Sequence, residues 1–165
     1  CIFMSSSAKF LQLINNRFKF NLFLLSKLPS AFFCGVRVQQ ADETKCVVTV
    51  PYKWLSQNPF KSTYFACLSM AAEMSTGVLG LAHIYKSSPA VSMLVVNISG
   101  SFFKKATGRT TFICNDGLLI KQTIEDAIAS GEGKTVTAKS IGTNAGGEVV
   151  AEFLITWSFK AKQNA

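Results

Sequence analysis

The sequence predicts an α+β domain: an antiparallel sheet of about six strands wrapped around one largely apolar helix, with an extra helix in front. Three observations predict it. Residues 62–85 are the strongest helix candidate, and Glu73 is the only formally charged residue from Ser62 through Ala82. Six other segments alternate with the two-residue period of a strand. The length, 165 residues with 48% hydrophobic side chains, suits a single packed core, since a domain near that size buries roughly 68–70% of its unfolded surface.

Taken in order, residues 8–28 place Phe10, Leu11, Ile14, Phe18, Leu22, Leu25 and Leu28 at three- and four-residue steps, with Lys9, Asn15, Asn16, Lys19 and Lys27 between them. That predicts an amphipathic helix, or two short ones, closed by Pro29 and packing its apolar stripe on the domain. Residues 1–29 are accordingly a helical extension, and 30–165 the main domain. Residues 35–41 and 44–52 read as strands joined at Asp42-Glu43, with Cys46, Val48, Val50 and Tyr52 on one face. Gln57-Asn58-Pro59 then breaks the chain before the apolar helix. Residues 91–103 and 108–115 read as a hairpin joined near Lys104–Thr107. A surface helix spans 118–130 and stops at Gly131. Residues 134–142 and 148–160 form a final hairpin, in which Val149, Ala151, Phe153, Ile155, Trp157 and Phe159 share one face.

The net charge is +8, from 17 Lys and Arg against 9 Asp and Glu. Such a chain attracts polyanions, among them nucleic acid, anionic lipid and phosphate-rich cofactors such as coenzyme A. The bases are scattered and no nucleic-acid motif occurs, so no nucleic-acid partner is expected. A basic N-terminal helix also admits contact with a membrane surface, although packing on the domain is the reading adopted. No run reaches 18 uninterrupted apolar residues, so no membrane-spanning segment is expected. Cys1, Cys34, Cys46, Cys67 and Cys114 are odd in number and form neither a CxxC nor a zinc pattern. Reduced thiols, a cytoplasmic setting and no metal follow as expectations. Met4 reads as an ordinary start, with Cys1–Phe3 upstream of it.

Glu73 is the first candidate functional group. An ionised carboxylate is rarely buried without a partner, and no Lys or Arg lies within four positions of it. Either its pKa is raised or it faces a cleft where substrate meets it. Thr76, one turn on, could hold a water or could simply serve helix packing. His83, the only histidine, reads as a partner of the helix C-terminus.

Asn58-Pro59 followed by Tyr64-Phe65-Ala66 and Ala71-Ala72-Glu73 resembles the acyl-CoA thioesterases of the hotdog fold. In the phenylacetyl-CoA and 4-hydroxybenzoyl-CoA types the pattern runs Asn-x-x-Gly-x-x-His-Gly-Gly, then four residues, then Leu-Ala-Asp or its Glu equivalent. Ser101–Arg109 resembles the family's strand connection, and Gly146–Ala151 its last turn and strand. The likeness covers roughly residues 30–160. It implies that Glu73 is general base or nucleophile and that the Phe65 amide, at the helix start, is the oxyanion donor. It further implies that Asn58 places water or substrate, and that Tyr64 and Ala66 line the substrate. Lys104, Lys105 and Arg109 would meet coenzyme A phosphates. Lys61, Tyr64, Phe65 and Ala66 stand where the family has Gly, His, Gly and Gly, so a non-catalytic acyl-CoA or lipid-binding protein is the rival reading. No cofactor is implied beyond the thioester itself, and the expected assembly is a homodimer or a dimer of dimers. Geometry asks for the dimer independently. Phe65 and Glu73 are eight residues, or ~12 Å, apart along one helix, too far to act on one carbonyl.

Overall fold

The long apolar helix sets the architecture. Its sequence holds good helix formers and no proline, and it forms α4 (Phe65–Ile84) with twelve buried residues. In the computed structural model, which describes residues 6–162, α4 touches every strand of a six-stranded antiparallel sheet. The elements run α1 (Ser6–Asn15), α2 (Arg17–Lys27), α3 (Pro29–Cys34), β1 (Arg37–Ala41), β2 (Cys46–Val50), a 3₁₀ turn (Trp54–Ser56) and α4. Then follow β3 (Val91–Phe102), β4 (Thr110–Cys114), α5 (Gly117–Ser130), β5 (Lys134–Thr143) and β6 (Val149–Ala161). The strand order is β1-β2-β4-β5-β6-β3. A sheet curled around one helix in this order is the hotdog fold. Cys1–Phe3 and Met4 lie outside the described residues.

The inner face of the sheet is built as the alternation requires. Ala151, Phe153, Ile155, Trp157 and Phe159 on β6 are buried, as are Cys46, Val48 and Val50 on β2. Val149 departs from its stripe and Val150 is buried instead, because the β5–β6 register shifts at Gly142/Thr143. Tyr52 lies beyond the end of β2. Among the described residues α4 is the one helix long and apolar enough to cross a membrane, and here it is the core helix. Two buried hydrogen bonds fix its roll. Ser75 Oγ lies 2.7 Å from Ser140 Oγ on β5, and Trp157 Nε1 on β6 donates to Thr76 Oγ1 at 2.9 Å.

Two sequence expectations are corrected. Residues 91–103 do not form a hairpin with 108–115. β3 pairs along its whole length with β6, while β4 sits between β2 and β5. The connection between them crosses the start of α4, where Thr63 N and Oγ1 both donate to Ala106 O at 2.8 and 3.1 Å. Residues 8–28 do not present one continuous stripe either. Asn16 ends α1 and caps α2, its side chain accepting from Lys19 N, and this resets the helical phase. Phe10 and Ile14 pack inward as expected, but on α2 it is Phe20 and Leu24 that are buried. Phe18 is 79% exposed and Leu22 60%. Pro29 follows the C-cap of α2 as expected, and a further short helix begins with it. It occupies the first turn of α3, which Gly35 ends in the left-handed conformation.

The two sheet edges differ. On β1, the Asn15 side chain both donates to Ala41 O (2.9 Å) and accepts from Ala41 N (3.1 Å), so α1 satisfies part of that edge. β3 is the other edge. It is twelve residues long and hydrogen-bonded on one side only, with Leu94, Val96, Ile98 and Phe102 exposed.

Candidate functional site

The segment before α4 is a tight loop organised by Asn58. Its Oδ1 accepts from Phe60 N (3.0 Å), Ser62 N (3.2 Å) and Ser62 Oγ (3.2 Å). Asn58 therefore builds the turn, and its oxygen is fully engaged there. The same loop puts Lys61 at φ +58°, a left-handed conformation that costs a residue with a Cβ about 1–2 kcal/mol. Lys61 falls where the resembling motif has glycine, the residue that adopts this conformation at no steric cost.

Tyr64 caps α4 through its backbone, its carbonyl accepting from Cys67 N and Leu68 N. The amides of Phe65 and Ala66 donate to no group among the described residues, as expected of a helix's first turn. They form a small positive end suited to a carbonyl oxygen or other anion. The Phe65 ring is 56% exposed and stacks edge-on against Tyr64 with centroids 4.8 Å apart.

Glu73 is two turns further on, largely enclosed, with no ion-pair partner among the described residues. Burial raises its pKa above the ordinary 4.5. Of the two readings of Thr76, the structure supports packing and not a contact with water or substrate. Thr76 is fully buried, donating to Glu73 O at 3.0 Å and accepting from Trp157 Nε1, so it belongs to the helix–sheet contact and does not reach substrate.

Three concavities lie in series along α4. A cleft of about 580 Å³ at the helix start joins Asn58, Tyr64, Phe65, Phe102, Lys104 and Lys105. A shallow groove of about 280 Å³ follows, lined by Phe65, Ala66, Ser69, Met70, Glu73 and Ile98 of β3. Beyond it is a cavity of about 250 Å³ under the N-terminal helices, with Glu73 in its wall. Phe65 is shared by the first pair and Glu73 by the second. The structure thus brings seven of the nine sequence-predicted site residues to these three concavities, Thr76 being behind the wall. It leaves Arg109 out: that side chain is exposed and lines none of the three. Lys105 Nζ donates to Phe60 O at 3.3 Å, and Lys104 pairs with Glu148. His83 sits half-buried at the far end of α4, its Nε2 3.2 Å from Glu43 O, and burial lowers its pKa.

Sequence reasoning missed Gly77 and Trp157, which form the wall beside Glu73, and Phe20, Phe23 and Leu28, which roof the cavity. Gly77 falls four residues after Glu73 and so on its face, a signal present in the sequence. The thiols also meet in a way spacing could not show: Cys67 Sγ lies 3.6 Å from Cys34 Sγ. Cys46, Cys67 and Cys114 are buried and Cys34 half-buried.

The sequence matches no described protein family and no curated protein. Its fold recurs in solved structures. A candidate thioesterase of unknown function from Pseudomonas aeruginosa superimposes with a TM-score of 0.72 over 84% of this chain and 93% of that one, at 22% identity. A protein of unknown function from Chlorobaculum tepidum gives 0.73 over 94% of each chain at 16% identity. A candidate thioesterase from Shewanella oneidensis gives 0.73 at 10% identity, over 92% of this chain and 99% of that one.

Proposed function

We propose that the chain hydrolyses an acyl thioester of coenzyme A or of an acyl carrier. The observation that carries this reading is that one apolar helix, α4, offers both unpartnered amides at its start and a largely buried, unpaired carboxylate at its middle, each lining a groove open to ligand. The candidate thioesterases from Pseudomonas aeruginosa and Shewanella oneidensis share the fold, which supports the same class of reaction. The Phe65 amide donates to the thioester oxygen, where negative charge grows in the tetrahedral intermediate. Glu73 in its ionised form takes a proton from the attacking water, or attacks the carbonyl itself. Lys104 and Lys105, at the mouth of the first cleft, attract the phosphates of coenzyme A. Asn58 acts through the loop it holds, not by touching substrate.

Since Phe65 and Glu73 of one chain stand ~12 Å apart along the helix, one chain does not bring both to a single carbonyl. The working unit is a homodimer formed through β3, whose open edge carries Ile98 into the groove beside Glu73. Each site then takes its amide from one α4 and its carboxylate from the other.

A panel of acyl-CoA thioesters, followed by release of free thiol, tests the reading. Wild type should turn over at least one member, and Glu73→Gln should lose ~100-fold or more. Saturable acyl-CoA binding without turnover of any member would replace the hydrolase by the binding-protein reading.

A further inference from the structure

The cavity behind Glu73 has a composition unlike that of the cleft at the helix start. Its lining includes Phe20, Phe23 and Leu28 from the N-terminal helices and Met93 and Trp157 from the sheet, and Glu73 is its one titratable group. The Trp157 indole N–H already donates to Thr76, so it offers nothing to a ligand. A space so lined favours hydrocarbon: phosphates and hydroxyls would lose their water for no return. Gly77 lies in its wall. A methyl group there would stand 3.2 Å from both Glu73 Oε1 and the Trp157 ring, so glycine lets the carboxylate and the indole close in on α4, and any side chain at this position takes space from the cavity.

We infer that this cavity holds the acyl tail, and that the N-terminal helices set its length. Resting on the thioester reading, the inference assigns the acyl half to the cavity behind Glu73 and leaves coenzyme A to the cleft at the start of the other chain's α4. The carbonyl stays beside Glu73 while the tail passes Gly77 and ends against Phe20, Phe23 and Leu28. A cavity of about 150 Å³ accommodates benzene, so 250 Å³ accommodates a tail of roughly six to ten carbons.

The test uses binding, so that it stands apart from catalysis. The chain has two tryptophans, and Trp54→Phe leaves Trp157 in the cavity wall as the sole emitter. Titration with uncharged n-alkanamides of four to fourteen carbons should change Trp157 emission saturably. Affinity should rise roughly fourfold per methylene, the value of moving one CH₂ out of water, and level off near eight to ten carbons. Gly77→Val should move the limit to shorter chains and Phe23→Ala to longer ones. Gly77→Ala, whose contacts ask only a few tenths of an ångström of the neighbours, stands in if the valine variant does not fold. A silent Trp157 across the series, or a length limit unchanged in both variants, overturns the inference. Binding that behaves as expected while no thioester is hydrolysed upholds it and removes the hydrolase reading.

Discussion

Glu73 owes its character to what surrounds it. Burial raises its pKa, so over a window above the ordinary 4.5 the folded chain keeps a proton that the unfolded chain has lost. The stability this group contributes is therefore full below that ordinary value and is lost as pH rises through the folded one. Glu73→Gln removes that loss. Calorimetry should find the variant's Tm at or above wild type at pH 7, with the two converging towards pH 4. Hydrolysis needs the ionised form, so the acid limb of the wild-type rate profile should lie above the usual carboxylate range. Lys61 makes a second prediction at this scale. Its φ of +58° suits glycine, so Lys61→Gly should stabilise the fold by about 1 kcal/mol in denaturant unfolding. A destabilised variant would show that the lysine side chain holds the loop.

Among the elements, α4 and the last two strands were legible because one period decides each. An unbroken apolar helix has to be buried, and strict alternation on β6 names its inner face. Strand partners were not legible. The apolar residues of 91–102 mark a strand but not which strand lies beside it, and that is decided by how the sheet closes around α4. The N-terminal helices failed for a related reason. A stripe counted through Asn16 ignores the cap that restarts the helix, so α2 turned out to bury Phe20 and Leu24 while exposing Phe18 and Leu22. Glu73 was visible as the lone charge, whereas the cavity beside it needed residues from α2, α4, β3 and β6 that no local window contains. Phe10, Ile14, Phe20 and Leu24 belong to the same core as α4, so deleting residues 1–28 should cost solubility and lower Tm by several degrees. A truncated chain as stable as the whole would mean that the extension folds apart from the domain.

At the scale of the whole molecule, the proposed site is complete only when two chains meet. The open β3 edge and the ~12 Å between the amide of Phe65 and the carboxylate of Glu73 lead to the same assembly by separate arguments. Ile98→Lys, on the exposed face of that edge strand, should shift the protein towards monomer in sedimentation and reduce hydrolysis with it. The most direct measurement mixes two inactive variants. Glu73→Gln keeps its helix start, and Ala66→Trp keeps its carboxylate while blocking the helix start. Refolded together in equal amounts, half the dimers should be hybrids with one intact site, so about a quarter of wild-type thioester hydrolysis should return. A mixture no more active than its two parents would contradict the shared site.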